Sequence, residues 1–371
     1  MILKSDCKYF PGDRPCKYHK TEGVTCDSCT YYSPNGKMIL IIKLDAIGDV
    51  LRTTSILHSL KKKFSDSSIN WLTKANAVDL LKNNKYVDKV LVYENNHTLS
   101  DISLVKYDLV INLDPSPVSS SLASFAKGEV KVGFGLNKKG KVYPFNNEAE
   151  EWFEMGAFDN LKATNKKTYQ EVIHEICSLS FEKGKIIFNL TEDESLNGDN
   201  FFDSKGLSNY DKIIGINAGA SDRWEFKKWR KEGYIDLMKN LSKEYKCAFL
   251  LFGGRNEVEL NKQLAKECKN VFDTGSDNSL RNFASYVDLC DVLVTGDTLA
   301  LHVATALEVP SVCIFGPTSN AEIEDYGLVR KVYPAMDCLV CYKNTCDFKP
   351  NCMELVTTEM VLKEVKTILE N

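Results

Sequence analysis

Asp297, Thr298 and His302 stand close together in the stretch Val292–Thr318, VLVTGDTLALHVATALEVPSVCIFGPT. A carboxylate next to a hydroxyl, with an imidazole about one helical turn further on, suits an anionic ligand that also carries hydroxyls. The flanking residues show what would position them. Val292–Val294 and Ser311–Phe315 are apolar and rich in β-branched residues, as buried strands are, and Thr298–Leu307 has helical spacing. A strand–helix–strand unit of this kind puts a helix N-terminus at the carboxyl end of a parallel strand, where doubly wound sheets bind ligands. Asp297 as a plain helix cap and His302 as a core residue are the alternative.

Three further motifs repeat the strand-to-turn pattern. In Lys43–Arg52, KLDAIGDVLR, Gly48 permits a tight turn and Asp49 lands at or near a helix start. A carboxylate there is either an N-cap or a general base aimed into an interdomain cleft. In Asn217–Ser221, NAGAS, the small residues Ala220 and Ser221 let backbone approach a phosphate, and Lys227 supplies positive charge to it. Lys227 also reads as one of a surface lysine pair beside core tryptophans. In Leu251–Glu257, LFGGRNE, paired glycines end a strand and Glu257 opens a helix. Glu257 either accepts hydroxyl protons from a ribose or another sugar, or complements the helix dipole.

Eight of the 13 cysteines fall in two groups. Cys7, Cys16, Cys26 and Cys29 lie near one end of the chain, with His19 nearby, and Cys338, Cys341, Cys346 and Cys352 near the other. Each group contains a C-x2-C pair, the spacing that lets two thiolates hold one metal. The expectation is structural zinc, with iron or an iron–sulfur cluster as rivals and reduced free thiols as the alternative. Neither group lies at the cleft motifs, so both read as structural. The remaining five, Cys177, Cys247, Cys268, Cys290 and Cys313, sit in apolar contexts and read as core residues.

The positioning elements form two alternating series. Strands at Met38–Lys43, Ile69–Thr73, Lys89–Tyr93, Tyr107–Leu113 and Val130–Phe134 alternate with helices near Val50–Lys63, Ala75–Asn83 and Ser119–Phe125. Residues 148–179 look helical. A second series has strands at Lys212–Asn217, Ala248–Phe252, Val271–Asp273, Val292–Val294 and Ser311–Phe315. The expected division is a Cys-rich module over 1–36, an α/β domain over 37–190, a linker over 191–210, a second α/β domain over 211–357 and a closing helix over 358–371. The fold class is therefore α/β, with two Rossmann-like doubly wound domains facing a cleft and small Cys-rich metal-binding appendages.

Composition narrows the function classes. With 371 residues, 43% hydrophobic and 26% charged, the chain is an ordinary globular protein of about two domains. A net charge of −4 gives no reason to expect nucleic acid as a partner. The basic run Lys61–Lys63 reads as a solvated helix face or as a contact for anionic lipid. No apolar run reaches membrane-spanning length and the first residues lack a signal-peptide core, so a cytoplasmic location, at most peripheral to the inner membrane face, is expected. A two-domain dehydrogenase is disfavoured because no G-x-G-x-x-G follows a strand.

Taken in order, these motifs resemble glycosyltransferase family 9, the bacterial heptosyltransferases. The resemblance covers roughly residues 38–371. It is carried by the Gly48-Asp49 opening, YDLVINL at Tyr107–Leu113, Val132-Gly133-Phe134, Asn217–Trp229, Gly253–Glu257, Asp297-Thr298 with His302, and Phe315-Gly316-Pro317-Thr318. It implies a GT-B fold and inverting transfer from a nucleotide sugar, typically ADP-heptose, without a catalytic metal. It also implies Asp49 as the base, Lys227 on the donor phosphates with Ala220 and Ser221 on the turn, Glu257 on the nucleoside side, and Asp297, Thr298 and His302 at the donor sugar and diphosphate. The acceptor is expected to be a glycan, glycolipid or protein, shaped by Ser116–Leu179, with Trp152, Phe153, Lys162, Lys166 and Lys167 as contacts. The family has glycine directly after the Asp-Thr pair, where this chain has Leu299. That departure and the Cys modules motivate a second reading, a catalytically inactive nucleotide-sugar-binding scaffold.

Overall fold

The apolar runs become the central strands of two six-stranded sheets. The computed structural model describes residues 2–220 and 225–370. The first sheet holds β1 (Lys37–Ile42), β2 (Ser67–Thr73), β3 (Lys89–Val92), β4 (Lys106–Asn112), β5 (Lys127–Leu136) and β6 (Val142–Pro144), in the order β3-β2-β1-β4-β5-β6. The second holds β7 (Lys212–Asn217), β8 (Cys247–Phe252), β9 (Val271–Asp273), β10 (Val292–Gly296), β11 (Ser311–Ile314) and β12 (Val329–Val332), in the order β12-β11-β10-β7-β8-β9. The strands pair in parallel except β5 with β6. Parallel sheets are covered on both faces, so Ile39–Ile42 and Phe249–Phe252 are buried throughout instead of alternating.

The strand order reverses at β1/β4 in one sheet and at β7/β10 in the other. A doubly wound sheet opens a crevice at the carboxyl ends of its strands at such a point. The two halves share packing as well. One apolar cluster runs from Ile41, Val50 and Leu51 of the first half to Leu293, Ala300 and Val303 of the second.

Four departures from the sequence expectations have local causes. The helix expected over Val50–Lys63 is two helices, α1 (Ile47–Thr53) and α2 (Ile56–Lys63). Between them the Thr54 hydroxyl donates to the Leu51 carbonyl at 2.7 Å and accepts from the Ile187 amide at 2.8 Å. Such a hydroxyl competes with the helical ladder. The linker segment 191–210 is largely helix α3 (Glu192–Ser204), closed by a reciprocal cap between Thr191 and Glu194. Arg281, on α4 (Leu280–Val287), fixes that connection. It donates to Glu194 at 2.8 Å, to the Asn189 carbonyl, and at 3.4 Å to the Asp79 carbonyl of the first half. The edge strands β6 and β12 were not expected, because both are short, β6 ends in Pro144 and β12 carries Arg330 and Lys331, as edges tolerate.

The metal expectation finds no support in the structure. Among the described residues no three His, Cys, Asp or Glu side chains are gathered to hold an ion, so the structure does not show the expected zinc sites or their iron or iron–sulfur rivals. Cys7, Cys16, Cys26 and Cys29 line the wall of an apolar cavity of about 450 Å³ shared with Tyr9, Tyr18 and Tyr31. Cys338, Cys341, Cys346 and Cys352 are likewise free thiols. The Cys352 thiol is pushed up to about 11 by burial and then by Cys341, Cys346 and Cys338. The five scattered cysteines behave as expected: Cys177, Cys247, Cys290 and Cys313 are buried and Cys268 is partly so.

The N-terminal module docks where β1 and β2 begin, at the end of the sheet away from the crevice. Lys8 donates to the Ser67 carbonyl at 2.9 Å, and Ser68 to the Asn35 carbonyl at 2.7 Å. Among the described residues no helix is long and apolar enough to cross a membrane.

Candidate functional site

The carboxyl ends of β1, β7 and β10 open onto one cleft of about 830 Å³. Asp49, Ala220, Lys227, Glu257, Asp297, Thr298 and His302 all line it, as does Leu299. Ser221 lies outside the described residues. The sequence therefore assigned these residues to one place although they come from both halves of the chain.

On the first half, Asp49 stands in the opening turn of α1 and is about a third exposed, its side chain at 30%. Its carboxylate accepts from the Ala46 amide at 3.4 Å and from Arg52 Nε at 2.9 Å, with Arg52 Nη2 also at 2.9 Å. Lys43 Nζ lies 3.9 Å away. Burial opposes ionisation, but the charges of Arg52 and Lys43 outweigh it and hold the carboxyl well below the usual range. Arg52 is itself buried, with its guanidinium stacked 3.8 Å over the Tyr169 ring. The Tyr169 hydroxyl pairs with Thr53 Oγ1 at 2.7 Å, and Thr53 donates to the Asp49 carbonyl at 2.6 Å. Asp49 is thus a fixed, ionised carboxylate.

On the second half, Lys227 Nζ donates to Asp297 Oδ2 at 2.8 Å and to the Asp297 carbonyl at 3.2 Å. Thr318 donates to the same Oδ2 at 3.0 Å. Burial raises the Asp297 pKa, but the Lys227 charge overrides it and the carboxyl stays ionised. Thr298, not Asp297, is the N-cap of α5 (Leu299–Ala306). Its hydroxyl meets Asn217 Nδ2 at 3.3 Å and Thr295 Oγ1 at 3.1 Å, which ties the end of β7 to the helix start. Leu299 opens that helix and packs partly against the cluster that joins the halves. Glutamate 257 Oε2 accepts from the Gly254 amide at 2.9 Å. Its side chain lies against Gly219, where a Cβ would sit 2.5 Å from Glu257 Cδ.

His302 joins the two halves. A Cβ on Gly48 would meet its ring carbon Cδ2 at 2.9 Å, so the glycine lets α1 and α5 close on each other. The ring is 6% exposed and makes no hydrogen bond among the described residues. Burial and the Arg52 charge push its pKa down to about 4, so it is a neutral imidazole at physiological pH.

Of the residues expected near an acceptor, Trp152 and Lys162 line the cleft and Phe153 packs against Phe134 in the core. Lys167 is paired to Glu151 and Glu175 at 2.7 and 2.8 Å, and Lys166 is not in the cleft wall. Arg52 has no role in the sequence reading, although its place one turn after Asp49 signals the contact. Glu322 and Tyr342 also line the cleft. No local pattern announces them, because each arrives on a loop far along the chain.

Residues 100–351 match the sequence profile of glycosyltransferase family 9 (heptosyltransferase). The chain is 27% identical over 170 residues to lipooligosaccharide heptosyltransferase 2 of Campylobacter jejuni, a match covering 44% of this chain and 53% of that protein. It thus spans about half the length of that relative. It is 23% identical over 350 residues to lipopolysaccharide heptosyltransferase 1 of Campylobacter coli, covering 89% of this chain and 98% of that one. The structure of Escherichia coli ADP-heptose lipopolysaccharide heptosyltransferase II superposes with a TM-score of 0.64 at 19% identity, covering 90% of this chain and 98% of the other, which shows the shared two-sheet fold. The chain therefore belongs to glycosyltransferase family 9, the heptosyltransferase family.

Proposed function

We propose that this protein transfers a heptose from ADP-heptose to a hydroxyl of a glycan, glycolipid or protein acceptor, with inversion at the anomeric carbon. One observation carries the reading: a single cleft holds the ionised Asp49 of one half and the Lys227, Asp297 and Thr298 group of the other. Residues 37–190 form the acceptor half and 211–357 the donor half, joined by the segment 191–210. Glu257 takes the nucleoside side, Ala220 the phosphate-facing turn together with Ser221, and Lys227 with the start of α5 the diphosphate. The neutral His302 adds no charge beside them.

The acceptor oxygen attacks the anomeric carbon from the side of Asp49. The bond from that carbon to the phosphate oxygen breaks, and ADP leaves with the electron pair. The acceptor proton passes to Asp49. A carboxylate held ionised by Arg52 has low proton affinity in the ground state, so it takes the proton late, once bond formation has made the hydroxyl acidic. Lys227 meets charge that grows on the diphosphate as the bond breaks, and so favours the transition state over bound donor.

A pH prediction follows. A depressed folded-state pKa keeps Asp49 ionised, so kcat/KM is expected to hold down through the ordinary aspartate pKa of about 3.9. Arg52→Gln removes the charge that depresses it, and the acid limb is expected to move to higher pH. A pH–rate profile of the folded variant with its limb unmoved would contradict the pairing.

The donor assignment is tested by thermal shift against a panel of nucleotide sugars. ADP-heptose at about 100 times its Kd stabilises the fold by about 2.7 kcal/mol and raises Tm accordingly. No response to any ADP-sugar sinks the reading. A second reading is favoured by one observation: Asp49 and Lys227 are already satisfied by Arg52 and Asp297. Such a site also suits a scaffold that binds the nucleotide sugar without turning it over.

A further inference from the structure

The cleft continues past Asp297 to two residues that the roles above leave unused, Glu322 and Tyr342. Side-chain contacts give the order along its wall. Glu257 lies against Gly219 at the nucleoside side. Lys227 then meets Asp297, and Asp297 meets Thr318. Thr318 begins the loop after β11 that carries Glu322, whose amide approaches Ser319 Oγ at 3.4 Å. Glu322 lines the same cleft as Asp49 and Arg52 of the first half and Asp297 of the second. In the donor reading above, the transferred sugar sits in this cleft between the diphosphate and the base.

The chemistry there fits a polyol. Tyr342 donates its hydroxyl to Glu322 Oε1 at 3.1 Å and accepts from the Ser319 amide at 3.3 Å. Glu322 lines the cleft, and its Oε2 has no hydrogen-bond partner among the described residues. The Tyr342 ring is a flat face at the same spot, with the Lys162 ammonium of the first half 4.9 Å from its centroid. A carboxylate oxygen beside an aromatic face is what a hydroxyl-rich, CH-faced sugar ring needs.

Tyr342 reaches this position from within the Cys338–Cys352 loop. Its amide donates to the Pro317 carbonyl at 2.9 Å, and the loop's far end, Cys352 and Met353, packs on Gly316. The C-terminal cysteine loop is therefore part of the cleft wall, in contrast to the remote position of the N-terminal module. This corrects the expectation that neither cysteine group lies at the cleft motifs.

We propose that Glu322 and Tyr342 form the subsite for the transferred sugar, with Glu322 Oε2 accepting from a sugar hydroxyl and the cysteine loop thereby setting which sugar is accepted. The proposal rests on the donor reading above. It is tested by calorimetric titration of the full chain and of Glu322→Gln and Tyr342→Phe with two probes, ADP and ADP-heptose. Loss of a hydrogen bond to a charged group weakens ADP-heptose binding about 10-fold or more, while ADP binding stays as in the unaltered protein. Equal losses for both probes, or no loss for ADP-heptose, overturn the subsite. If the unaltered protein binds ADP but gains nothing from the heptose, the subsite alone fails. If it binds neither probe, the donor reading itself fails.

Discussion

Asp49→Asn is expected to lower turnover by about 10²- to 10⁴-fold, the range that a positioned general base contributes. ADP-heptose affinity is expected to survive, because Asp49 acts on the acceptor side of the cleft. The variant keeps the shape of the side chain but cannot accept the proton. It also leaves Arg52 without its carboxylate partner at 2.9 Å, so folding must be checked by circular dichroism alongside the rate. Single-turnover kinetics with saturating donor separate the two effects. A folded Asp49→Asn protein that binds donor and turns over at the unaltered rate removes Asp49 from the mechanism.

Lys227→Met is expected to cost about 10²- to 10³-fold in kcat, the loss typical when one donor to a developing anion is removed. The ammonium is held 2.8 Å from Asp297 Oδ2, beside the proposed place of the diphosphate. The loss should fall more on kcat than on KM, since diphosphate charge rises in the transition state. Lys227→Arg keeps the charge and serves as the control for the buried Asp297 left behind. A Lys227→Met enzyme with reduced affinity and intact kcat would restrict the lysine to ground-state binding.

The sequence made the fold and much of the cleft legible for physical reasons. Parallel strands buried on both faces write themselves as unbroken apolar runs, as in Ile39–Ile42 and Phe249–Phe252. Strand-end turns mark the carboxyl edge, so Asp49, Lys227, Glu257 and Asp297 could be assigned to one crevice before any contact was known. Thr54, which breaks a helix through its own hydroxyl, and Thr191 with Glu194, which start one in a polar stretch, act through side-chain bonds that periodicity does not register. Arg52 was visible in spacing but not in consequence: that it grips Asp49 from a stack on Tyr169 depends on a residue over a hundred positions away. Glu322 and Tyr342 meet only because one loop after β11 and another among the cysteines fold onto each other. The cysteine spacings suggest metal, but spacing along the chain does not by itself set ligand geometry, and among the described residues no three ligands are gathered to hold an ion.

The most direct test of the central claim is release of ADP from ADP-heptose by the full chain, with and without a heptose-deficient lipopolysaccharide acceptor. The account predicts ADP release that acceptor accelerates and that Asp49→Asn lowers by about 10²- to 10⁴-fold at unchanged donor binding. Saturable donor binding with no ADP release in either condition would contradict it and leave the scaffold reading standing.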